Sequence, residues 1–227
     1  YPASDRPEDI EAARKKYFSM PEDDSNWTWN VAWWSDPVLL GKYPEEGLKK
    51  YEKYLPKITE KDMRLISEPI DVYGQNIYNG RAFRMGADGN PEEVGRVPGA
   101  GKTAVNWPVT PECLYWGPKF LYERYKKPIY ITENGMACHD VVSLDQRVHD
   151  PNRIDFLARY LHELKRAAEE IDLRGYFQWS LMDNFEWEKG YAERFGIVYV
   201  DFETQERILK DSAYWYRDVI QTNGRDL

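Results

Sequence analysis

The chain has 227 residues, 42% hydrophobic and 31% charged, with a formal net charge of −8. That length suits one domain or two small ones, and the composition is that of a globular protein. The acidic balance offers no basic stripe to nucleic acid, and without a run of 18 apolar residues the sequence carries no membrane span.

Two cysteines, Cys113 and Cys138, are too few for a disulfide framework and read as free thiols of a reducing compartment. The opening stretch YPASDRPEDIEAARKKYF lacks the basic and apolar regions of a secretory signal, so a cytoplasmic location is the expectation. Aromatic residues reach 15%, with nine Trp and seventeen Tyr. Core packing seldom needs so many indoles, whereas flat amphipathic rings suit stacking on the apolar faces of sugars.

Along the chain, residues 6–18 predict a helix, with Pro7 near its start, acids in its first turn and basic residues in its last. A long aromatic region follows over 23–56, with only short helical pieces; such a stretch marks function or an insertion. Its NWT at 26–28 matches a glycosylation sequon, discounted here without a secretory signal. DVYGQNIY (71–78) predicts a strand. The Gly-rich run 79–102 reads as an excursion, because its glycines lack the strand–loop–helix setting of a phosphate loop. TPECLYWGPKFLYERY (110–125) predicts a helix capped by Thr110 with Pro111 in its first turn.

PIYITENG then runs a strand (128–133) straight into Glu133, Asn134 and Gly135. A carboxylate buried within a strand costs several kcal/mol unless paired, but the C-terminal tip of a strand is where parallel α/β folds place their chemistry. The next helix has Asp150 as cap, Pro151 at its first position and an apolar stripe of Ile154, Leu157, Leu161, Leu164 and Ala168. A strand at 175–181, a hairpin within 195–210 and a closing helix near 211–221 complete the order. Strands alternating with helices predict an α/β fold around a mainly parallel sheet. Three such strands are convincing, where a closed barrel needs eight.

Three motifs in order, YITENG (130–135), WSLMDNFEW (179–187) and GYAERFGIVYVDFETQERILKDSAYWY (190–216), closely resemble the family 1 glycoside hydrolases, the β-glucosidase and β-glycosidase family. The resemblance spans essentially the whole chain, including DPVLLGKYP (36–44). It implies a (β/α)8 barrel that hydrolyses β-glycosides with retention through a covalent glycosyl-enzyme, using two carboxyl groups. By the same resemblance Glu133 is the nucleophile, and Tyr78 in GQNIY is the phenol that donates to it. Asn76 matches an asparagine lining the same subsite, although Gln75 and Ile77 depart from the family pattern around it. Trp179 matches the ring beneath the bound sugar, Glu186 the acceptor of two sugar hydroxyls and Trp187 an indole donor. Phe195 matches an apolar wall, and Trp107 matches a tryptophan of the leaving-group subsite. Cys113 stands where the family carries Gly.

The resemblance also implies what these residues lack. The family's acid/base glutamate sits in an NEP motif, and no NEP occurs here. The chain is therefore expected to be the C-terminal half of the barrel, one partial domain over 1–227, completed by a separate N-terminal half. The implied substrate is a β-glucoside or oligosaccharide. An alternative is a sugar-binding or structural fragment without turnover. The adjacent Cys138 and His139 are not read as a nucleophile pair, and His149 and His162 show no metal-ligand spacing, so neither metal nor cofactor is predicted.

Overall fold

The computed structural model describes residues 1–22 and 30–227, so the sequon at 26–28 lies outside the described residues. The fold is α/β, and the chain forms two compact units. One comprises Tyr1–Tyr73, Ala82–Val94 and Glu123–Lys127; the other comprises Gly74–Arg81, Gly95–Tyr122 and Pro128–Leu227.

In the first unit, helix α1 (Pro7–Phe18) forms as the sequence predicts, with Pro7 at its start and Lys15 and Lys16 in its last turn. The run read as an irregular excursion instead contains a hairpin of β2 (Ala82–Met85) and β3 (Pro91–Val94), paired antiparallel. Its signal was the Asp88-Gly89 turn, where Gly89 takes φ +77 and Asp88 accepts from the Asn90 N–H. Left-handed backbone at a D-G pair is a hairpin signature. The buried Asp9 fastens α1 to this hairpin: it accepts from Ser4 Oγ at 2.5 Å and from the Met85 N–H at 3.0 Å. Those hydrogen bonds hold its pKa down to about 2. Helix α2 (Val31–Leu40) is capped by Asn30, which accepts from the Trp33 N–H at 2.7 Å, and ends on left-handed Gly41. Trp33 meets Tyr51 edge-on in a small core with Met20 and Ala32. Helices α3 (Glu45–Lys50) and α4 (Glu60–Ile66) follow, the latter opened by a Thr59/Asp62 capping box. Asp36, inside the DPVLLGKYP segment, is buried and accepts from Arg124 Nε at 2.9 Å and Tyr125 Oη at 2.7 Å.

The second unit is built on a three-stranded sheet of order β1 (Tyr73–Asn76), β4 (Ile129–Asn134), β5 (Leu173–Gln178), with β4 and β5 parallel. β5 ends three residues earlier than predicted. Helix α5 (Cys113–Tyr125) precedes β4, helix α6 (Pro151–Ala168) joins β4 to β5, and the hairpin β6 (Val198–Val200) and β7 (Arg207–Leu209) leads into α7 (Asp211–Gln221). The helix after Thr110 begins at Cys113, and the Thr110 hydroxyl accepts from the Gly80 N–H at 2.9 Å.

Helix α6 has the predicted extent but turns a slightly different face inward. Arg153, Phe156, Leu157, Tyr160, Leu161, Leu164 and Ala167 are buried, Ile154 is half-buried and Ala168 is exposed. The polar members decide this. Tyr160 Oη accepts from the buried Thr110 N–H at 2.8 Å, and Arg153 joins a buried charge cluster. Asp150 also departs from its predicted role, making no side-chain cap on α6. Its carboxylate bonds Arg153 and accepts from the N–H and hydroxyl of Ser212, so it caps α7 instead.

The cluster sets three acids, Asp140, Asp150 and Asp183, against three bases, Arg153, Arg194 and Lys210. Arg153 donates to Asp140 at 2.7 Å; Lys210 donates to Asp140 at 2.6 Å and to Asp183 at 2.8 Å; Arg194 donates to Asp183 at 2.6 Å. Arg153 and Lys210 are fully buried. Removing one partner strands an uncompensated charge, so Lys210→Met is expected to cost about 3–5 kcal/mol in urea unfolding. The exposed Lys189→Met should stay within about 0.5 kcal/mol.

His149 ties the loop before α6 to α7 from outside. Its Nδ1 lies 2.6 Å from Asp211 and its Nε2 3.0 Å from Asp145, which raises its pKa above the ordinary 6.5. The unfolded chain keeps the ordinary value, so this stabilisation is complete at lower pH and is lost as pH rises through the raised folded value. The stability difference between the natural protein and His149→Gln is expected to be largest below about pH 6 and to shrink toward alkaline pH in thermal melts.

Candidate active site

The strand tips of the second unit converge because the chain permits unusually close approach there. Gly135 follows β4 directly, and a Cβ on it would overlap the Trp179 carbonyl oxygen. The Trp179 N–H donates to the Asn134 carbonyl at 2.7 Å, and the Ile77 N–H donates to the Glu133 carbonyl at 3.0 Å. Backbone bonds thus hold the ends of β1, β4 and β5 around residues 133 and 134.

Glu133, half-buried, stands at this junction. Tyr78 donates its phenol to Glu133 Oε2 at 2.7 Å. Burial raises the Tyr78 pKa far above 10, and the hydrogen bond and charge of Glu133 and the charge of Glu186 raise it further. The phenol therefore stays protonated and acts as a donor at any physiological pH. It is braced by two rings. Trp107 lies edge-on at 5.2 Å and Phe195 edge-on at 6.3 Å, while Trp107 and Phe195 are 5.9 Å apart. Phe195 is buried and Trp107 is 36% exposed, so this triad has one inner wall and one open ring.

Trp179 and Glu186 form the opposite part. The pKa of the Glu186 carboxylate is raised, first by burial and then by the charges of Glu188, Glu133 and Glu193, with the Trp179 side chain lowering it only weakly. Trp187 is 78% exposed on the short turn Trp187–Lys189. Asn76 is exposed on β1 and accepts from the Thr132 hydroxyl at 2.6 Å. The geometry therefore gathers Glu133, Tyr78, Trp107 and Phe195 by direct contact, with Trp179–Glu186 coupled to them through charge.

Several residues that sequence reasoning passed over hold this arrangement. Asn134 is fully buried between the strand ends. Gln178 donates to the Trp179 carbonyl at 2.7 Å and the Phe195 carbonyl at 3.3 Å. Asp183, at the base of the loop carrying Glu186, accepts from the Gly196 N–H at 3.0 Å beside Phe195. Only the NG pair after Glu133 offered a signal for any of these. The Cys138 thiol is pushed up to about 11 by burial, which keeps it protonated and a poor nucleophile. Among the described residues, no group of three His, Cys, Asp or Glu could hold a metal ion, and no helix is long and apolar enough to cross a membrane.

The family model described as Glycosyl hydrolase family 1 matches residues 1–225. Beta-glucosidase A of Thermotoga maritima is 45% identical over 226 residues, covering 98% of this chain and 48% of that protein. A bifunctional beta-D-glucosidase/beta-D-fucosidase of Bifidobacterium breve is 43% identical over 208 residues, covering 82% of this chain and 45% of that protein. The solved beta-glucosidase from Thermotoga maritima in complex with glucoimidazole superposes with a TM-score of 0.79 at 45% identity, covering 99% of this chain and 49% of that one. The chain spans about half the length of the curated relatives it matches.

Glu186 gives a stability test of the site's electrostatics. A carboxyl group whose folded pKa exceeds its unfolded value stabilises the fold below the unfolded value and loses that contribution as pH rises through the folded one. Glu186→Gln is therefore expected to melt higher than the natural protein at pH 7 and to show no such gain near pH 4, as measured by thermal unfolding at both values.

Proposed function

The chain belongs to glycosyl hydrolase family 1, and on that premise we propose that it supplies the nucleophile-bearing part of a retaining β-glucosidase. The observation that carries the reading is the Tyr78 phenol 2.7 Å from Glu133 Oε2, at the tip of a strand. The phenol fixes one carboxylate oxygen and leaves the other free to attack. A rigid strand and a braced donor hold that oxygen in one orientation, which is the positional contribution a displacement reaction needs.

In the first step a Glu133 oxygen forms a bond to the anomeric carbon while the bond to the leaving oxygen breaks. An acid on the opposite side protonates that leaving oxygen. Water then releases the sugar, delivering its proton to the same group acting as base. The sugar-binding roles fall to Trp179 as stacking platform, Glu186 as acceptor from two hydroxyls, Trp187 as a donor and Phe195 as apolar wall. Trp107 lines the leaving-group side, and Asn76 would face the sugar from β1.

The acid/base carboxyl group lies, in this reading, outside these 227 residues, in a complementing N-terminal half that closes a (β/α)8 barrel. Two observations support it: no NEP segment occurs in the sequence, and the chain spans about half of its relatives. Retention requires the second carboxyl group at about 5–5.5 Å from Glu133 in the completed protein.

The test is mechanism-based labelling of the isolated protein with an activated 2-deoxy-2-fluoro-β-glucoside. The good leaving group reduces the need for the acid, and the fluorine slows release of the glycosyl-enzyme. Peptide mapping is expected to find one fluoroglucosyl group on Glu133 and none in Glu133→Gln. Label on another residue would overturn the assignment. A sugar-binding fragment without turnover would bind the glucoside and remain unlabelled.

A further inference from the structure

Directly behind Glu133 lies a closed ring of hydrogen bonds whose members include two groups outside the substrate-facing set. Asn134 is fully buried. Its Nδ2 donates to the Ile77 carbonyl at 2.8 Å, and its Oδ1 accepts from the Tyr176 hydroxyl at 2.8 Å. The Ile77 N–H, in turn, donates to the Glu133 carbonyl at 3.0 Å. Ile77 is therefore gripped at both its N–H and its C=O by residues 133 and 134.

The Ile77 carbonyl belongs to the same peptide plane as the Tyr78 nitrogen, and planarity of that unit is nearly rigid. Fixing the carbonyl therefore fixes the Tyr78 Cα and the axis of its N–Cα bond, leaving only φ and the side-chain torsions to place the phenol. Tyr78 then reaches Glu133 Oε2 and completes the ring. Within the ring, the orientation of the Asn134 amide is set by Tyr176. Its oxygen must face the phenol donor, so its nitrogen must face Ile77. Burial raises the Tyr176 pKa well above 10 and keeps the hydroxyl a donor.

We infer that Asn134 and Tyr176 are positioning residues that orient the Tyr78 phenol on Glu133, in line from β5 through β4 to the end of β1. This inference rests on the reading of Glu133 as nucleophile. Without the Tyr176 hydroxyl the amide loses one of its two side-chain tethers and the phenol–carboxylate geometry loosens. Small misplacements of a reacting group are costly in rate, up to about a hundredfold per ångström.

The test uses Tyr176→Phe, which removes one oxygen and keeps the ring. Fluoroglucoside labelling of Glu133 is expected to slow about tenfold at saturation, with half-saturation unchanged. Made in a Tyr78→Phe background, the same change is expected to alter the rate less than about twofold, because the bond it orients is already gone. Equal slowing in both backgrounds, or none in either, would refute the inference. Asn134→Ser, losing both side-chain bonds, is the second variant and should slow labelling at least as much. A readout free of turnover runs in parallel, namely the Tyr78 ring-carbon NMR signal, assigned by its loss in Tyr78→Phe. It is expected to shift in Tyr176→Phe, and an unmoved signal counts against the clamp. Should the natural protein fail to label at Glu133, the nucleophile reading falls, and the NMR signal alone judges the clamp.

Discussion

Three acids and three bases, all buried but the half-buried Arg194, make the constraint on which the site of the second unit depends. Each buried charge costs several kcal/mol in lost solvation, and only mutual pairing offsets that cost. Asp140 lies just beyond the Glu133 loop, Asp150 and Arg153 at the start of α6, Asp183 and Arg194 on the loop between β5 and β6, and Lys210 at the start of α7. Hydrogen bonding satisfies them further, with Arg153 donating to the Arg194 carbonyl and Asp183 accepting from Gly196. Four separate chain segments are thereby held to one arrangement, since displacement of any one leaves a partner charge unsatisfied. Apolar packing of the same volume would be less directional.

Two of those segments carry the site. The loop from Trp179 to Phe195 is anchored through Asp183 and Gln178, and the turn after β4 through Asp140 and the close approach at Gly135. Chemistry that needs a carboxylate held in one orientation gains from a scaffold whose loops cannot drift. The Tyr78 phenol, packed edge-on against Trp107 and Phe195, extends the same logic from backbone to side chain.

The site also works against stability. Glu133, Glu186, Glu188 and Glu193 bring negative charge together, and burial first and that charge second raise the pKa of Glu186. In the proposed function, the hydroxyl donors of a sugar would meet those acceptors. Residues that lower stability while serving a ligand are common at functional sites. The buried ion cluster, with its balanced charges, is the opposite case.

Local sequence pattern determined much of this molecule. α1, α6, α7 and the β6–β7 hairpin follow from periodicity, proline placement and turn residues, which act over a few neighbours. The segment around Glu133 likewise marked a strand tip, while Trp179, Glu186 and Phe195 were singled out only by resemblance to the family. Tertiary structure alone decided which polar residues go inside. Arg153 sits in a helix whose apolar stripe pointed one position away, and its burial depends on Asp140 and Arg194, 13 and 41 residues distant in the chain. Lys210 meets Asp140 across 70 residues. Asn134 reads as a turn residue until Ile77 and Tyr176 are brought beside it. A charge or an amide has no periodicity of its own. Whether it is buried depends on partners that only the folded chain assembles.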